Sequence, residues 1–293
     1  MENMDFGHVS TSSFVLMGIG AFIAIVVPIV IAIVWCRKKK EPFTTVLIGA
    51  AAFMLFAVTI EKAIQNVLIF PVQMGLQETA ASAFINARPV LLAFLLGLFP
   101  GVFEETGRLV AFKTVLRKRQ QRETSISYGI GHGGIEVVAI TGLTLISYIA
   151  MGLMINSGDI MKEFEASLTK VDSPWMIKQV TDQLSQVAEF DVAALGVVLI
   201  ERFFAVLYHI GGSILVFYAC KDKKWWLYPL AMIIHTLIDF MGALQIVGVI
   251  SMSSWVFEIV FAVVSSATFL GSYLLLYRKD RVRGIGVCGE DNS

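Results

Sequence analysis

Long uninterrupted apolar runs constrain this chain more than any other feature of its sequence. The runs 14–35, 46–60 and 259–276 each approach the length of a membrane-spanning helix. A bilayer core of about 30 Å needs about 20 helical residues, because each residue rises about 1.5 Å. Only 16% of the residues are charged and the mean hydropathy is +0.74, whereas soluble domains carry roughly 25% charged residues. The chain is therefore expected to be an integral membrane protein.

The distribution of apolar residues predicts an all-α bundle of about seven membrane-spanning helices. The expected spans are 14–36, 43–67, 89–113, 125–155, 192–220, 225–246 and 252–277. The first apolar run is too long for the 7–15-residue core of a signal peptide, so a retained first span is expected. The whole chain, 1–293, is then a single integral membrane domain, with 89–246 as its core spans. The segment 156–190 is expected to be an external loop that holds one surface helix.

Basic residues are distributed unevenly between the two ends of these spans. Sixteen of the 23 Lys and Arg fall in alternate connections, which together define a basic face of the bundle. They are Arg37, Lys38, Lys39, Lys40, Lys113, Arg117, Lys118, Arg119, Arg122, Lys221, Lys223, Lys224, Arg278, Lys279, Arg281 and Arg283. Such connections mark the cytoplasmic side, so the N-terminus is expected outside and the C-terminus inside, in a multi-pass protein of the cell membrane. Short basic runs there favour membrane lipid as a partner, and nucleic acid is not expected.

Several ionisable residues lie inside the predicted spans. Each costs at least about 2.5–3.5 kcal/mol on insertion scales, so each needs a structural or functional reason. Those singled out are Glu104, Glu105, Arg108, His132, Glu136, Glu201, Arg202, His209, His235 and Asp239. Glu61, Lys62 and Glu258 lie towards the ends of spans opposite the basic face, where their side chains are expected to reach the membrane surface. No function is assigned to these three.

Four of the polar residues are expected at one depth in the bundle. Glu104, His132, His209 and His235 lie about seven to eleven residues from the basic ends of their helices, which corresponds to about 10–17 Å. Residues on four different helices that share one level can form one site. This site is expected to be reached from the basic face.

Spacing along each helix predicts which side chains pair. Arg108 follows Glu104 by four residues and Glu105 by three, so it can pair with either carboxylate. Arg202 and His209 are seven residues apart and share a helix face.

Two histidines are each followed four residues later by a carboxylate. These pairs are His132 with Glu136 and His235 with Asp239. Each carboxylate is expected to orient its imidazole and to fix the tautomer.

In this order the motifs resemble those of the CAAX-protease and bacteriocin-processing superfamily of glutamic intramembrane proteases. Within it they are most similar to the YhfC-type membrane peptidases. The motifs are Glu104-Glu105 followed by Arg108, Tyr128-x-x-x-His132, and His235-x-x-x-Asp239. The similarity covers spans three to six, roughly 89–246. Two residues separate Glu105 from Arg108, where the family's prototype has three, which moves the arginine around the helix.

The resemblance implies an enzyme that hydrolyses a peptide bond within the bilayer and needs no cofactor. Glu104 matches the general base that activates water, and His132 matches the histidine that helps to hold that water. His235 and Asp239 match a His-x-x-x-Asn motif that polarises the scissile carbonyl; with Asp in place of Asn, Asp239 can instead orient His235. His209 is an additional residue of the YhfC-type pattern. The expected catalytic set is Glu104, Glu105, Arg108, His132, His235 and Asp239, with His209, Glu136 and Arg202 as further candidates.

Three classes of function stay open. A glutamic endopeptidase acting on a membrane-embedded protein or peptide is favoured. A zinc metalloprotease is the first alternative, since His132, His209 and His235 with one open position form a catalytic zinc set, with Glu104 as base. The chain has no His-Glu-x-x-His motif, which counts against it. A transporter or non-enzymatic scaffold would also use buried Glu and His.

Overall fold

The computed structural model describes the backbone of residues 7–159 and 174–280, and the side chains of 7–159 and 180–280. Within these residues the chain is helical without strands, and seven helices are long and apolar enough to cross a membrane. They are α1 (Thr11–Lys39), α2 (Phe43–Leu68), α3 (Pro89–Lys113), α4 (Glu123–Ser157), α5 (Val192–Lys221), α6 (Leu227–Ile246) and α7 (Ser254–Asp280). The predicted fold class is confirmed, and each predicted span agrees with a helix to within three residues at either end.

Side-chain caps and terminal charges explain where several spans begin and end. Ser10 caps α1 by accepting a hydrogen bond from the Ser13 amide at 3.1 Å. Asp191 caps α5 in the same way through the Ala194 amide at 2.8 Å. The last turn of α1 carries three basic residues, which interact favourably with the negative end of the helix dipole. The start and end of these helices are therefore encoded locally.

Three spans contain a π-helical segment. In α2 the segment Met54–Glu61 separates Phe43–Phe53 from Lys62–Leu68. The other two spans are α4, which consists of Glu123–Glu136, Val137–Gly142 (π) and Leu143–Ser157, and α7, which consists of Ser254–Ser272 and Tyr273–Tyr277 (π) before its last residues. Such segments are frequent at functional sites. The π segments of α2 and α4 adjoin buried glutamates, at Glu61 and Glu136.

Glycines bring the backbones of the central helices into direct contact. A Cβ atom on Gly49 of α2 would collide with the backbone of Tyr128, and one on Gly131 of α4 would collide with that of Val46. Gly97 of α3 faces α6 in the same way. Small residues of this kind allow close packing of membrane helices. The packing places α2, α3, α4, α5 and α6 around one buried region.

Short helices lie between the spans at the end of the bundle opposite the basic face. They are Pro71–Met74, Ala80–Asn86 and Pro174–Ala188. The last of these occupies part of the predicted external loop, and its Leu184 and Val187 are buried in a small core with Met17 and Leu145. Arg281 and Arg283 of the predicted basic face lie outside the described residues.

Candidate active site

The polar residues predicted from the sequence come together in the centre of the bundle. α3 contributes Glu104, Glu105 and Arg108; α4 contributes His132 and Glu136; α5 contributes Glu201, Arg202 and His209; and α6 contributes His235 and Asp239. Contacts between side chains, the longest of them the 3.9 Å approach of Arg108 to Glu104, connect all ten of these residues. The expectation that these helices meet at a common level therefore agrees with the structure, while the catalytic roles of the residues stay predictions.

Five of these residues form the inner cluster: Glu104, Glu105, Arg108, His132 and His235. Nε2 of His132 lies 2.8 Å from Oε2 of Glu104. Oε1 of Glu105 accepts hydrogen bonds from the Arg108 guanidinium and from Nδ1 of His235, the latter at 2.9 Å. Arg108 is closer to Glu105 than to Glu104, whose Oε2 lies 3.9 Å from Nη2. The side chains of Glu105 and Arg108 are fully buried, at 0% exposure.

Three further residues form the outer cluster: Glu136, Glu201 and Arg202. Nη1 of Arg202 donates to Oε1 of Glu136 at 3.1 Å, and Nη2 donates to Glu201. Their side chains are less deeply buried than those of the inner cluster, with 12% exposure for Glu136, 13% for Arg202 and 30% for Glu201. The outer cluster is thus an ion-pair network nearer the periphery of the bundle.

His209 joins the two clusters. Its Nδ1 lies 2.5 Å from Nη2 of Arg108, and its Nε2 contacts Oε2 of Glu136. Arg108 is always a donor, so Nδ1 accepts and Nε2 is the nitrogen that faces the carboxylate. The His209 ring centroid is 5.0 Å from that of His132 and 5.9 Å from that of His235. The residue that had no clear counterpart in the prototype therefore occupies the middle of the site.

One predicted pair is present and the other is not. Nε2 of His235 lies 3.3 Å from Oδ2 of Asp239, as the four-residue spacing predicts. The prediction that Glu136 orients His132 is wrong, because Glu136 bonds to Arg202 and His209 on the neighbouring helix. Nδ1 of His132 is buried and has no hydrogen-bond partner among the described residues.

Glu104, His132 and His209 form a group that could hold a metal ion. One ligand atom from each lies within 4.8 Å of the others, and all three residues are buried. Two imidazoles and one carboxylate are a ligand set found at catalytic zinc sites. The residues present therefore fit a zinc ion. The zinc set predicted from the sequence is His132, His209 and His235. In the structure Glu104 is the third member of the group instead of His235, because the two ring nitrogens of His235 face Glu105 and Asp239.

A cavity of about 350 Å³ extends from this group and is lined by residues of α2, α3, α4, α5, α6 and α7. Glu104, His209 and His235 line its inner part. Among its lining residues, Lys62 is 55% exposed, Ile140 49%, Val58 39% and Asp239 34%. Lys62 and Asp239 lie towards the ends of their helices opposite the basic face, and Ile140 lies near the middle of α4. This cavity therefore opens away from the basic face, at which access is expected from the sequence.

Buried aromatic rings close the site towards the basic face. Phe112, Tyr128 and Phe217 are at most 4% exposed. The Phe112 ring centroid lies 4.8 Å from that of Tyr128 and 5.4 Å from that of Phe217. These three residues, the aromatic plug, lie between His132 and the basic face, and access from that face stays a prediction.

Two glutamates expected to reach the membrane surface are buried instead. Glu61 is 1% exposed and Glu258 is 6% exposed. Oε1 of Glu61 accepts hydrogen bonds from Lys62 at 3.1 Å and from Gln65 at 2.9 Å, and Glu61 lines the cavity that contains Glu104. The sequence did contain a signal for this buried network, because Glu61 is followed directly by Lys62 and, one turn later, by Gln65.

Comparison with known proteins covers the whole candidate site. The family model described as YhfC intramembrane metalloprotease matches residues 23–261. The membrane protein YhfC of Bacillus subtilis strain 168 is 28% identical over 258 residues, which are 88% of this chain and 94% of that protein. No solved structure matches the chain.

Proposed function

This chain belongs to the YhfC family, and on that premise we propose that it is a metal-dependent intramembrane peptidase. The observation that carries the proposal is the buried group Glu104, His132 and His209, whose ligand atoms lie within 4.8 Å of one another. A description of the family as intramembrane metalloproteases supports the metal-dependent form over the cofactor-free glutamic mechanism that the superfamily resemblance implies. The proposed substrate is a membrane-embedded protein or peptide.

Glu104, His132 and His209 would hold the metal. Glu136 engages Nε2 of His209, so Nδ1 is the nitrogen left for a metal, in exchange for its contact with Arg108. A carboxylate behind a metal-binding imidazole fixes the ring and raises its basicity. When bound, zinc supplies Lewis acidity that polarises a peptide carbonyl and activates water.

His235 and Asp239 can hold and move a proton beside the cavity. Nδ1 of His235 donates to Glu105, which leaves Nε2 as the atom that can take up a proton. Oδ2 of Asp239, at 3.3 Å, accepts the resulting hydrogen bond. Because both residues line the cavity, a proton on Nε2 is placed for delivery to the leaving amine of a cleaved peptide bond.

The chemistry of the peptide bond restricts how a substrate can bind. In a helix the carbonyl and amide groups are held in hydrogen bonds along the chain. A transmembrane substrate is therefore expected to unwind locally, so that an extended segment places a free peptide bond in the cavity beside Glu104.

A glutamic peptidase is the second candidate, and one contact favours it. The 2.8 Å distance between Glu104 and His132 is suitable for a carboxylate and an imidazole that share a water molecule or a proton. Both candidates use Glu104 and His132, but Glu104 is a metal ligand in the first and the general base in the second, so the requirement for a metal distinguishes them.

The test combines metal analysis with comparative proteomics of membrane peptides. Purified wild-type protein is expected to contain about one zinc ion per chain, and the His209→Ala variant is expected to lose it. Cells carrying wild type are expected to produce cleavage fragments that disappear with Glu104→Gln and with chelation. Glu41→Gln is the matched control, because Glu41 is buried but lies in the connection between α1 and α2.

Each outcome has one interpretation. Fragments that persist with Glu104→Gln at normal expression would overturn a peptidase that uses this site. Glu104-dependent fragments from metal-free, chelator-resistant protein would replace the metal-dependent mechanism by the glutamic one.

A further inference from the structure

A second and larger cavity lies between α1, α4, α5 and α7. It has a volume of about 780 Å³, and its walls are mainly apolar, with Val27, Ile31, Ile130 and Phe203 among them. Ile31 is 45% exposed and Phe203 is 60% exposed, so this cavity is a groove open along its side. We call it the apolar groove.

Cationic side chains from three parts of the chain meet at one end of the apolar groove. Lys39 ends α1, Arg122 directly precedes α4, and Arg278 lies near the end of α7. All three belong to the basic face. The guanidinium of Arg122 lies over the ring of Tyr277, 4.6 Å from its centroid, which fixes its position at the groove. Nε of Arg122 also donates to Oε1 of Glu123 at 2.9 Å. Glu123 does not line the groove, and no carboxylate is among the described residues that do.

We propose that the apolar groove is a binding site for an anionic phospholipid. Its phosphate would lie between Lys39, Arg122 and Arg278, and its acyl chains along the apolar walls. Basic pockets between membrane helices are suited to anionic headgroups. Trp35 and Tyr277 also line this end, and such residues prefer the headgroup level of a membrane.

The dimensions of the groove agree with this occupant. Its lining runs along α1 from Lys39 to Ile23, a distance of about 24 Å at about 1.5 Å per residue. One leaflet contributes about 15 Å of hydrocarbon, so the groove can hold complete acyl chains.

The deep end of the groove touches the outer cluster. Arg202 lines both the apolar groove and the polar cavity, and it donates to Glu136 at 3.1 Å. A bound acyl chain would pack against the helix that holds this ion pair. The lipid site thus adjoins the candidate active site without depending on its chemistry.

The experiment measures lipid binding to the purified full chain in neutral detergent by native mass spectrometry. The probes are dioleoylphosphatidylglycerol and dioleoylphosphatidylcholine, which share acyl chains and differ in charge. We expect wild type to bind one phosphatidylglycerol at least about tenfold more tightly than phosphatidylcholine. The variant Lys39→Gln/Arg122→Gln/Arg278→Gln is expected to bind phosphatidylglycerol about 10- to 100-fold more weakly.

The matched control removes three other charges from the same face. Arg117→Gln/Lys118→Gln/Lys223→Gln changes exposed residues that do not line the groove, and it is expected to retain the preference. Equal loss in both variants would overturn the proposal in favour of diffuse attraction to the basic face. Unchanged binding in the groove variant would overturn it outright.

Two more variants keep the test decisive. Lys39→Gln/Arg278→Gln changes only exposed side chains and serves if loss of Arg122 prevents folding; it is expected to weaken phosphatidylglycerol binding in part. Ile31→Trp fills the groove and is expected to reduce binding of both lipids. A stable dimer that Ile31→Trp dissociates, with no retained phosphatidylglycerol, would assign the groove to a second copy of the chain instead.

Discussion

The inner and outer clusters contain the same kind of ion pair in different surroundings. In the inner cluster Arg108 pairs with Glu105, and both side chains are 0% exposed. In the outer cluster Arg202 pairs with Glu201, and these side chains are 13% and 30% exposed. A fully buried pair cannot lose one partner without leaving an uncompensated charge, whereas Glu201 and Arg202 line the polar cavity, through which solvent can reach them. Loss of one partner is therefore expected to destabilise the protein more in the inner pair than in the outer pair.

His209 contacts both clusters and is also a proposed metal ligand, so it connects the two ion pairs to the metal site. Its Nδ1 faces Arg108 of the inner cluster, and its Nε2 faces Glu136 of the outer cluster. A change in the buried Arg108–Glu105 pair, which supplies none of the proposed metal ligands, should thus appear mainly as lost stability. A change in the outer cluster should appear mainly as altered metal binding through His209.

The largest expected effect follows from breaking the inner pair. Arg108→Met leaves the Glu105 carboxylate buried beside a single histidine, which is expected to cost about 3–5 kcal/mol of stability. Arg202→Met is the matched change in the outer cluster and is expected to cost about 1 kcal/mol. Thermal and denaturant unfolding in detergent measure both. Equal losses would remove the distinction between the clusters.

An intermediate effect is expected when the support of His209 is weakened. Glu136→Gln keeps the size of the side chain but removes the charge that faces Nε2, so zinc affinity is expected to fall about 10- to 100-fold. Competition titration with a zinc chelator of known affinity measures the change. Glu201→Gln alters the same cluster without touching His209 and should leave zinc affinity unchanged; a similar fall there would contradict a specific role for Glu136.

The smallest expected effect concerns Asp239, the most exposed carboxylate of the site. Asp239→Asn weakens one hydrogen bond to His235, which is expected to slow formation of Glu104-dependent fragments about 3- to 10-fold. Quantitative proteomics over a time course measures this rate. Asp191→Asn is the control, since Asn caps a helix as well as Asp. A faster rate with Asp239→Asn would instead favour the carbonyl-polarising role that the family's Asn implies.

The spans could be predicted well because each depends only on the length of one apolar run along the sequence. An apolar run of spanning length needs no knowledge of its neighbours, and span 89–113 was predicted at the same bounds as the helix Pro89–Lys113. The shared level of Glu104, His132, His209 and His235 follows from the same counting along each helix. The relative level of these residues along the bundle could thus be predicted from the sequence.

The rotation of one helix against another could not be predicted from the sequence. Glu136 shares a helix face with His132, but packing of α4 against α5 turns it towards Arg202 and His209. Glu61 ends a π segment, which changes the register of the following residues and which the apolar pattern does not indicate. The apolar groove depends on cations from three separate connections, so only the assembled bundle reveals it.

The aromatic plug has a consequence for the cell that is independent of catalysis. A polar cavity that enters the bilayer from one side is half of a channel, and Phe112, Tyr128 and Phe217 occupy the remaining path to the basic face. Their side chains carry no charge, and moving an ion past uncharged buried groups is unfavourable. The residues that border the site on this side are therefore expected to keep a polar cavity inside the bilayer from becoming a route for ions.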